Sequence, residues 1–149
     1  MMELKTIGNT PMIRIDYEYE GKEKYIYAKL EYYNLTGSIK DRVAYYILKN
    51  AYESGKLRKN MPIVEATSGN TGISLSALGA LYNHKVYIFM PDWASKERIN
   101  LMKSYGAQVI LFSKEEGGFI RCVNESKKMS NQEAFGFIPN TETEESEVE

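Results

Sequence analysis

Residues 62–81 read Pro62-Ile-Val-Glu-Ala-Thr-Ser-Gly-Asn-Thr-Gly-Ile-Ser-Leu-Ser-Ala-Leu-Gly-Ala-Leu81, and a second apolar run, Val86-Tyr-Ile-Phe-Met-Pro91, follows closely. Pro62 to Ala66 has the length and composition of a short strand. Thr67 to Gly72 is a loop of hydroxyls and glycine, and it opens a helix with Ile73, Leu75, Ala77, Leu78 and Leu81. That helix is apolar on nearly every side, which predicts burial. Val86 to Met90 is continuous rather than alternating, the pattern of a strand covered on both faces. Strand, buried helix and strand in this order predict a parallel pair joined by a crossover.

The same alternation extends in both directions. Ser95 is a candidate N-cap for a helix with Ile99, Leu101, Met102 and Tyr105, and Gly106 stands where a left-handed residue ends such a helix. Val109 to Phe112 reads as a third strand. Gly117-Gly118 precedes a weaker helix to about Ser130, and Phe135 to Ile138 is a candidate fourth strand. Upstream, Val43, Ala44, Ile47, Leu48 and Ala51 recur at helical intervals until Ser54-Gly55. Pro11 to Asp16 and Tyr25 to Glu31 predict a hairpin linked through Glu18–Lys24. The fold class is α/β, a three-layer open sandwich of about four parallel strands plus an N-terminal hairpin. The chain divides into an N-terminal segment (1–36), a small α/β domain (37–140) and an acidic tail (141–149).

Composition excludes several function classes. The 149 residues carry 19 basic and 20 acidic side chains, for a formal charge of -1. This balance argues against nucleic acid or an anionic membrane surface as partner. No apolar run approaches the length of a bilayer span, and the amino terminus lacks the apolar core of a signal peptide. One cysteine, Cys122, allows no intrachain disulfide, which suits a reducing cytoplasm. The five glutamates of Thr141–Glu149 stand without a basic residue and predict a solvated, disordered end.

Two loops carry candidate chemistry. Ligands of open parallel sheets sit at the carboxyl ends of strands, which puts Thr67 to Gly72 in that position. Free amides at the start of a helix attract an anion, glycines allow close approach, and Thr67, Ser68 and Thr71 add side-chain donors. The loop lacks both the Gly-Lys-Ser/Thr ending of a phosphate loop and the dinucleotide fingerprint, so a carboxylate is the expected ligand. By itself the loop also reads as a helix start with ordinary turn chemistry. The second loop is Thr36-Gly-Ser-Ile-Lys-Asp-Arg42. Lys40 falls in a first helical turn, where the positive end of the macrodipole disfavours its charge, and an uncharged amine is what attack on a carbonyl requires. Taken alone, Lys40 reads as one solvated lysine among many.

Together the two loops, with Ile7-Gly-Asn-Thr-Pro11, Lys29-Leu-Glu31, Met90-Pro91, Ser95-Lys-Glu-Arg98 and Gly106-Ala107, fall in an order and spacing that resemble one family. This is the cysteine synthase (O-acetylserine sulfhydrylase) and cystathionine β-synthase branch of the fold-type II pyridoxal-phosphate enzymes, over residues 4 to 120. The resemblance implies pyridoxal 5′-phosphate as cofactor, held through the amine of Lys40 and touched by Asn70. It implies that Thr67, Ser68, Gly69, Asn70 and Thr71 bind the carboxylate of an amino-acid substrate, with Lys40 moving the Cα proton. The implied reaction is β-replacement on O-acetyl-L-serine by sulfide to give L-cysteine, in an enzyme that is usually a homodimer. Cystathionine β-synthase-like and diaminopropionate-precursor chemistry remain open on these loops.

Other parts of the family pattern are not matched. The glycine- and threonine-rich loop for the cofactor phosphate lies in a large domain that has no counterpart in residues 1–149, and relatives add the hairpin to that domain's sheet. The resulting expectation is a truncated enzyme with little or no activity alone, and the competing one a non-catalytic binding module that keeps the carboxylate loop. His84 is expected as a surface-loop residue rather than a metal ligand, and no metal site is expected. Cys122 is expected as a helix residue, the tyrosines 17, 19, 25 and 27 as packing residues, and Trp93 as a loop residue that a ligand can approach.

Overall fold

A computed structural model of the chain describes residues 4–131. Two strands, β1 (Met12–Tyr19) and β2 (Lys22–Lys29), form an antiparallel hairpin, and a short 3-10 turn (Glu31–Tyr33) leads to helix α1 (Lys40–Glu53). Then β3 (Ile63–Ala66), α2 (Asn70–Leu81), β4 (Val86–Pro91), α3 (Lys96–Ser104), β5 (Gln108–Phe112) and α4 (Gly118–Asn131) alternate. Strands β3, β4 and β5 pair in parallel in that order, with Ile63 opposite Val86 and Tyr87 opposite Gln108. The expected fourth strand, Phe135–Ile138, and the tail lie outside the described residues.

The strands explain their own composition. On β4, Val86, Ile88 and Met90 turn to one face, and Phe89 turns to the other with Val64 and Ala66 of β3. The first face is covered by α2, which α1 and α3 flank in one core with Leu48, Leu75, Leu78 and Met102 fully buried. The second face is covered by α4 through Cys122, whose thiol donates to the Gly118 carbonyl. With helices on both faces, a continuous apolar strand leaves no side chain in water. Strand β5, an edge strand among the described residues, is only half-buried. Helix α2 is buried without interruption from Gly72 to Gly79, as its uniform composition predicts. A β-carbon at Gly79 would collide with the Val86 side chain, so this glycine lets α2 lie close on β4. Helix α3 starts at Ser95, whose hydroxyl accepts from the Arg98 amide, and ends before Gly106 at φ 86.

The hairpin departs from expectation. Its strands run to eight residues each and the connection shrinks to Glu20-Gly21, both with positive φ (53 and 69), the conformation of a tight hairpin turn. The charged run 18–24 does not interrupt pairing because neither face of the hairpin is covered. It touches no other helix or strand among the described residues. Tyr17, Tyr19, Tyr25 and Tyr27 are therefore exposed rather than packed, and cations lie over two of them, Arg14 on Tyr25 and Lys24 on Tyr19. His84 is also corrected. It is 6% exposed, its Nδ1 donates to the Met61 carbonyl at 2.6 Å, and its Nε2 meets the Tyr52 hydroxyl. An amphipathic ring can serve as a core strut wherever polar partners reach both nitrogens. Among the described residues no cluster of metal-ligating side chains occurs, and no helix is long and apolar enough to cross a membrane.

Replacing Gly79 by Ala is expected to destabilise the fold by about 1–3 kcal/mol through overpacking against Val86. Urea unfolding followed by circular dichroism measures it, and an unchanged midpoint would contradict the close α2–β4 approach.

Candidate active site

Helix α1 begins on a turn built by its own sequence. The Ser38 hydroxyl accepts from the Lys40 amide at 3.0 Å, and the Asp41 and Arg42 amides donate to the Ser38 and Ile39 carbonyls. Asp41 is completely buried. Its carboxylate accepts from the Thr36 amide at 2.7 Å, from the Thr36 hydroxyl at 2.5 Å and from the Ser74 hydroxyl at 2.6 Å. A buried charge is tolerable only with such a set of donors. The bond to Ser74 reaches from the first turn of α1 to the second turn of α2. Lys40, half-buried, is thus held beside the start of α2.

Helix α2 itself opens without a cap. Gly69 is the N-cap and offers no side chain, so the amides of Asn70 and Thr71 begin the helix free of a side-chain acceptor. The loop before it is stiffened by the Thr67 amide donating to the Phe89 carbonyl at 3.0 Å, which continues the β3–β4 ladder one residue beyond β3. Thr67 Oγ1 in turn accepts from the Gly69 amide at 3.4 Å. A β-carbon at Gly72 would stand 2.7 Å from the Thr67 methyl and 3.0 Å from Met102 Cε, so the loop, α2 and α3 meet there with no room for a side chain. Thr67, Gly69 and Thr71 are half-buried, whereas Ser68 and Asn70 are exposed. The structure therefore places all the residues singled out in this loop at the carboxyl edge of β3, and the Asp41–Ser74 bond ties the turn that carries Lys40 to the helix that follows the loop.

A second cluster joins motifs that are far apart in sequence. Arg42 grips Glu31 with two nitrogens, Nε at 2.7 Å and one terminal nitrogen at 2.9 Å, and reaches the Thr10 hydroxyl at 3.1 Å. Thr10 donates to Glu31 at 2.6 Å, Asn34 donates to the other Glu31 oxygen, and the Gly8 amide donates to Asn34. The Lys29 ammonium bonds to the Thr10 carbonyl. Hydrogen bonds from Arg42, first, and from Thr10 hold the Glu31 carboxyl well below its ordinary value of 4.5, at about 2. The base of the hairpin is thereby fastened to the residue two positions after Lys40.

Sequence reasoning did not single out Thr36 and Ser74 as parts of this arrangement. Ser74 was detectable as a hydroxyl inside an otherwise apolar helix, since a buried serine requires a partner. Trp93 is exposed in the loop after β4, at the same sheet edge, with Lys114 over its ring at 5.5 Å and Gly118 so near that a β-carbon there would stand 2.9 Å from Cη2 of the indole.

The donor set suits a carbonyl compound that carries a further hydroxyl, and a carboxylate. It offers one amine, one side-chain amide that both donates and accepts, three hydroxyls, and a helix start aimed at negative charge.

Two outcomes follow. Asp41→Ala leaves the Thr36 amide and the Ser74 hydroxyl without their acceptor, and is expected to cost about 1–3 kcal/mol per stranded group, read by urea unfolding. A rise or no change in stability would remove Asp41 from this role. For Glu31, whose carboxyl is depressed in the folded state, the stabilising contribution is complete above pH 4.5 and is lost as pH falls towards about 2. The unfolding midpoint of Glu31→Gln should therefore vary less than that of the parent chain between these two pH values, and equal slopes would refute the assignment.

Comparison with known proteins points one way. The model of a family described as pyridoxal-phosphate dependent enzyme matches residues 4–147. The chain is 40% identical over 133 residues to a probable cysteine synthase of Bacillus subtilis, covering 89% of this chain and 42% of that protein. Among solved structures, a hydrogen sulfide-producing enzyme from Fusobacterium nucleatum superimposes with a TM-score of 0.86 at 50% identity, covering 90% of this chain and 40% of the other. A cysteine synthase from Entamoeba histolytica gives 0.78 at 37% identity, covering 91% and 41%. The chain thus spans about two fifths of the length of these relatives.

Proposed function

The chain belongs to the pyridoxal-phosphate-dependent enzyme family, in its cysteine synthase-like fold-type II branch, and from that premise we propose that residues 36–74 form the amino-acid and cofactor side of a β-replacement site. The observation that carries the reading is the Asp41–Ser74 bond, which sets the Lys40 turn beside the uncapped start of α2. The donor set fits pyridoxal phosphate. Lys40 would hold its aldehyde carbon, and Asn70 would donate to its ring hydroxyl. When bound, the cofactor supplies an electron-withdrawing ring conjugated to the substrate nitrogen.

The rest falls to the chain's own groups. The α2 amides at Asn70 and Thr71, with the hydroxyls of Thr67, Ser68 and Thr71, bind the substrate carboxylate and fix which face of the amino acid meets Lys40. Gly69 lets the backbone approach that carboxylate. The Lys40 amine, once free, takes the proton from Cα and later returns one to the same carbon. Its position depends on Asp41, because that carboxylate makes the shorter of the two side-chain links from this turn to Ser74 of α2, the other being the Thr36 hydroxyl at 3.4 Å. The substrate class is an L-serine ester such as O-acetyl-L-serine, with acetate as the departing group and sulfide as the incoming one.

A second reading rests on the Fusobacterium structure, described as hydrogen sulfide-producing. The same loops would then accept cysteine, and sulfide would be the group that departs. The phosphate of the cofactor and the second face of the hairpin are assigned to the length that the relatives have and these 149 residues do not match. By itself the chain is accordingly expected to turn over slowly or not at all.

The test adds pyridoxal phosphate to the chain, reduces with borohydride and maps the modified lysine by mass spectrometry. Label should concentrate on Lys40, vanish from that peptide in Lys40→Ala, and fall in Asn70→Ala. Label spread evenly over the lysines would overturn the site. Supplying O-acetyl-L-serine with sulfide, or cysteine alone, to the chain and to a full-length relative carrying residues 36–74 of this sequence separates the two substrate readings.

A further inference from the structure

The sheet has an opposite edge. At the amino ends of β3 and β4, away from the Thr67–Thr71 loop, a cleft of about 970 Å³ opens between the segment leading into β3, the α2–β4 turn and the end of α3. Among the described residues its charged lining is Arg58, Lys59 and Lys85, with no carboxylate. None of these three side chains has an ion pair or hydrogen bond among the described residues.

Cations often gather at helix carboxyl ends because the last carbonyls attract them. Here those carbonyls are already taken. At the end of α2, Asn83 is left-handed (φ 61) and its amide donates to the Ala80 carbonyl, while the His84 amide donates to Gly79 at 2.8 Å. At the end of α3, Gly106 donates to Lys103 and Ala107 to Met102 in the same pattern. Both helices bordering the cleft close on their own backbone, so the three cations are not consumed as caps. The cleft's histidine is also occupied, since His84 spends one ring nitrogen on the Met61 carbonyl and the other on Tyr52. What remains for a ligand is positive charge, the side-chain amides of Asn60 and Asn83, and Tyr105.

We propose that this cleft binds a small molecule bearing a polyphosphate group. Three exposed cations, with no carboxylate beside them among the described residues, match the charge of a diphosphate or triphosphate, because charge-assisted bonds to phosphate oxygens are the strong ones. The volume fits a nucleotide-sized ligand. The site is independent of Lys40 and of the loop that receives the substrate carboxylate, lying at the other end of the same strands.

Isothermal titration of the full chain with ATP and, separately, with pyrophosphate tests the proposal. Both should bind, and the triple variant Arg58→Gln, Lys59→Gln, Lys85→Gln should weaken binding by about tenfold or more. A control that removes two cations from the hairpin, Lys22→Gln with Lys24→Gln, should bind as the parent does. Tighter binding of ATP than of pyrophosphate identifies a nucleotide as the source, and equal binding a free polyphosphate. All three side chains are exposed, so the triple variant should unfold at the parent's midpoint, which circular dichroism verifies. Absence of heat with either ligand, binding unchanged in the triple variant, or equal weakening in the hairpin control would overturn it.

Discussion

One buried carboxylate sets the geometry on which the rest of the candidate site depends. Asp41 lies in the first turn of α1, yet two of its three hydrogen bonds go back to Thr36 and the third crosses to Ser74 on α2. A charge so placed cannot leave its partners without a large desolvation cost, and its partners cannot leave it. The loop that carries Lys40 and the helix that starts at Asn70 are consequently one unit. Arg42, the next residue, extends the unit in the other direction by gripping Glu31 at the base of the hairpin. Three consecutive residues, Lys40, Asp41 and Arg42, thus divide the work. The last two fix where the first one stands.

The parallel core was legible from the chain because its signal is local and redundant. The continuous run Val86–Met90 and the largely apolar α2 each imply cover on nearly every side, and α2 is buried from Gly72 to Gly79 and β4 at all positions but Tyr87. The cap at Ser95 and the stop at Gly106 follow from backbone chemistry alone. The resemblance that names the family rests on ordered motifs, and the family comparisons agree with it along the chain. The hairpin and His84 were less legible for a common reason. Tyrosine and histidine suit both a core and a surface, and only the presence or absence of a covering layer decides which. The hairpin tyrosines lack such a layer among the described residues, whereas His84 finds two polar partners from elements 23 and 32 residues away in sequence.

The two ends of the sheet are chemically opposite. At the carboxyl edge lie the hydroxyls of the Thr67–Thr71 loop and the uncapped amides that open α2. At the amino edge, helix ends are closed by their own backbone and the cations around them have no side-chain partner among the described residues. β3, only four residues long, runs from one edge to the other and is buried at every position. Its neighbours on both faces are core side chains, so whatever fixes one end is carried rigidly to the other.

The hairpin leaves the chain with a colloidal property as well as a structural one. Each of its eight-residue strands has one edge whose amides and carbonyls are unpaired among the described residues, and its side chains include exposed Ile13, Ile15 and Ile26. Such an edge is a template for adding another strand, from whatever chain supplies it. Arg14 pairs with Asp16 on β1, and Lys22, Glu23 and Lys24 alternate in sign on β2, so an added strand has to match a mixed pattern of charge. A strand added there would leave the parallel core untouched, because the hairpin contacts no other helix or strand among the described residues.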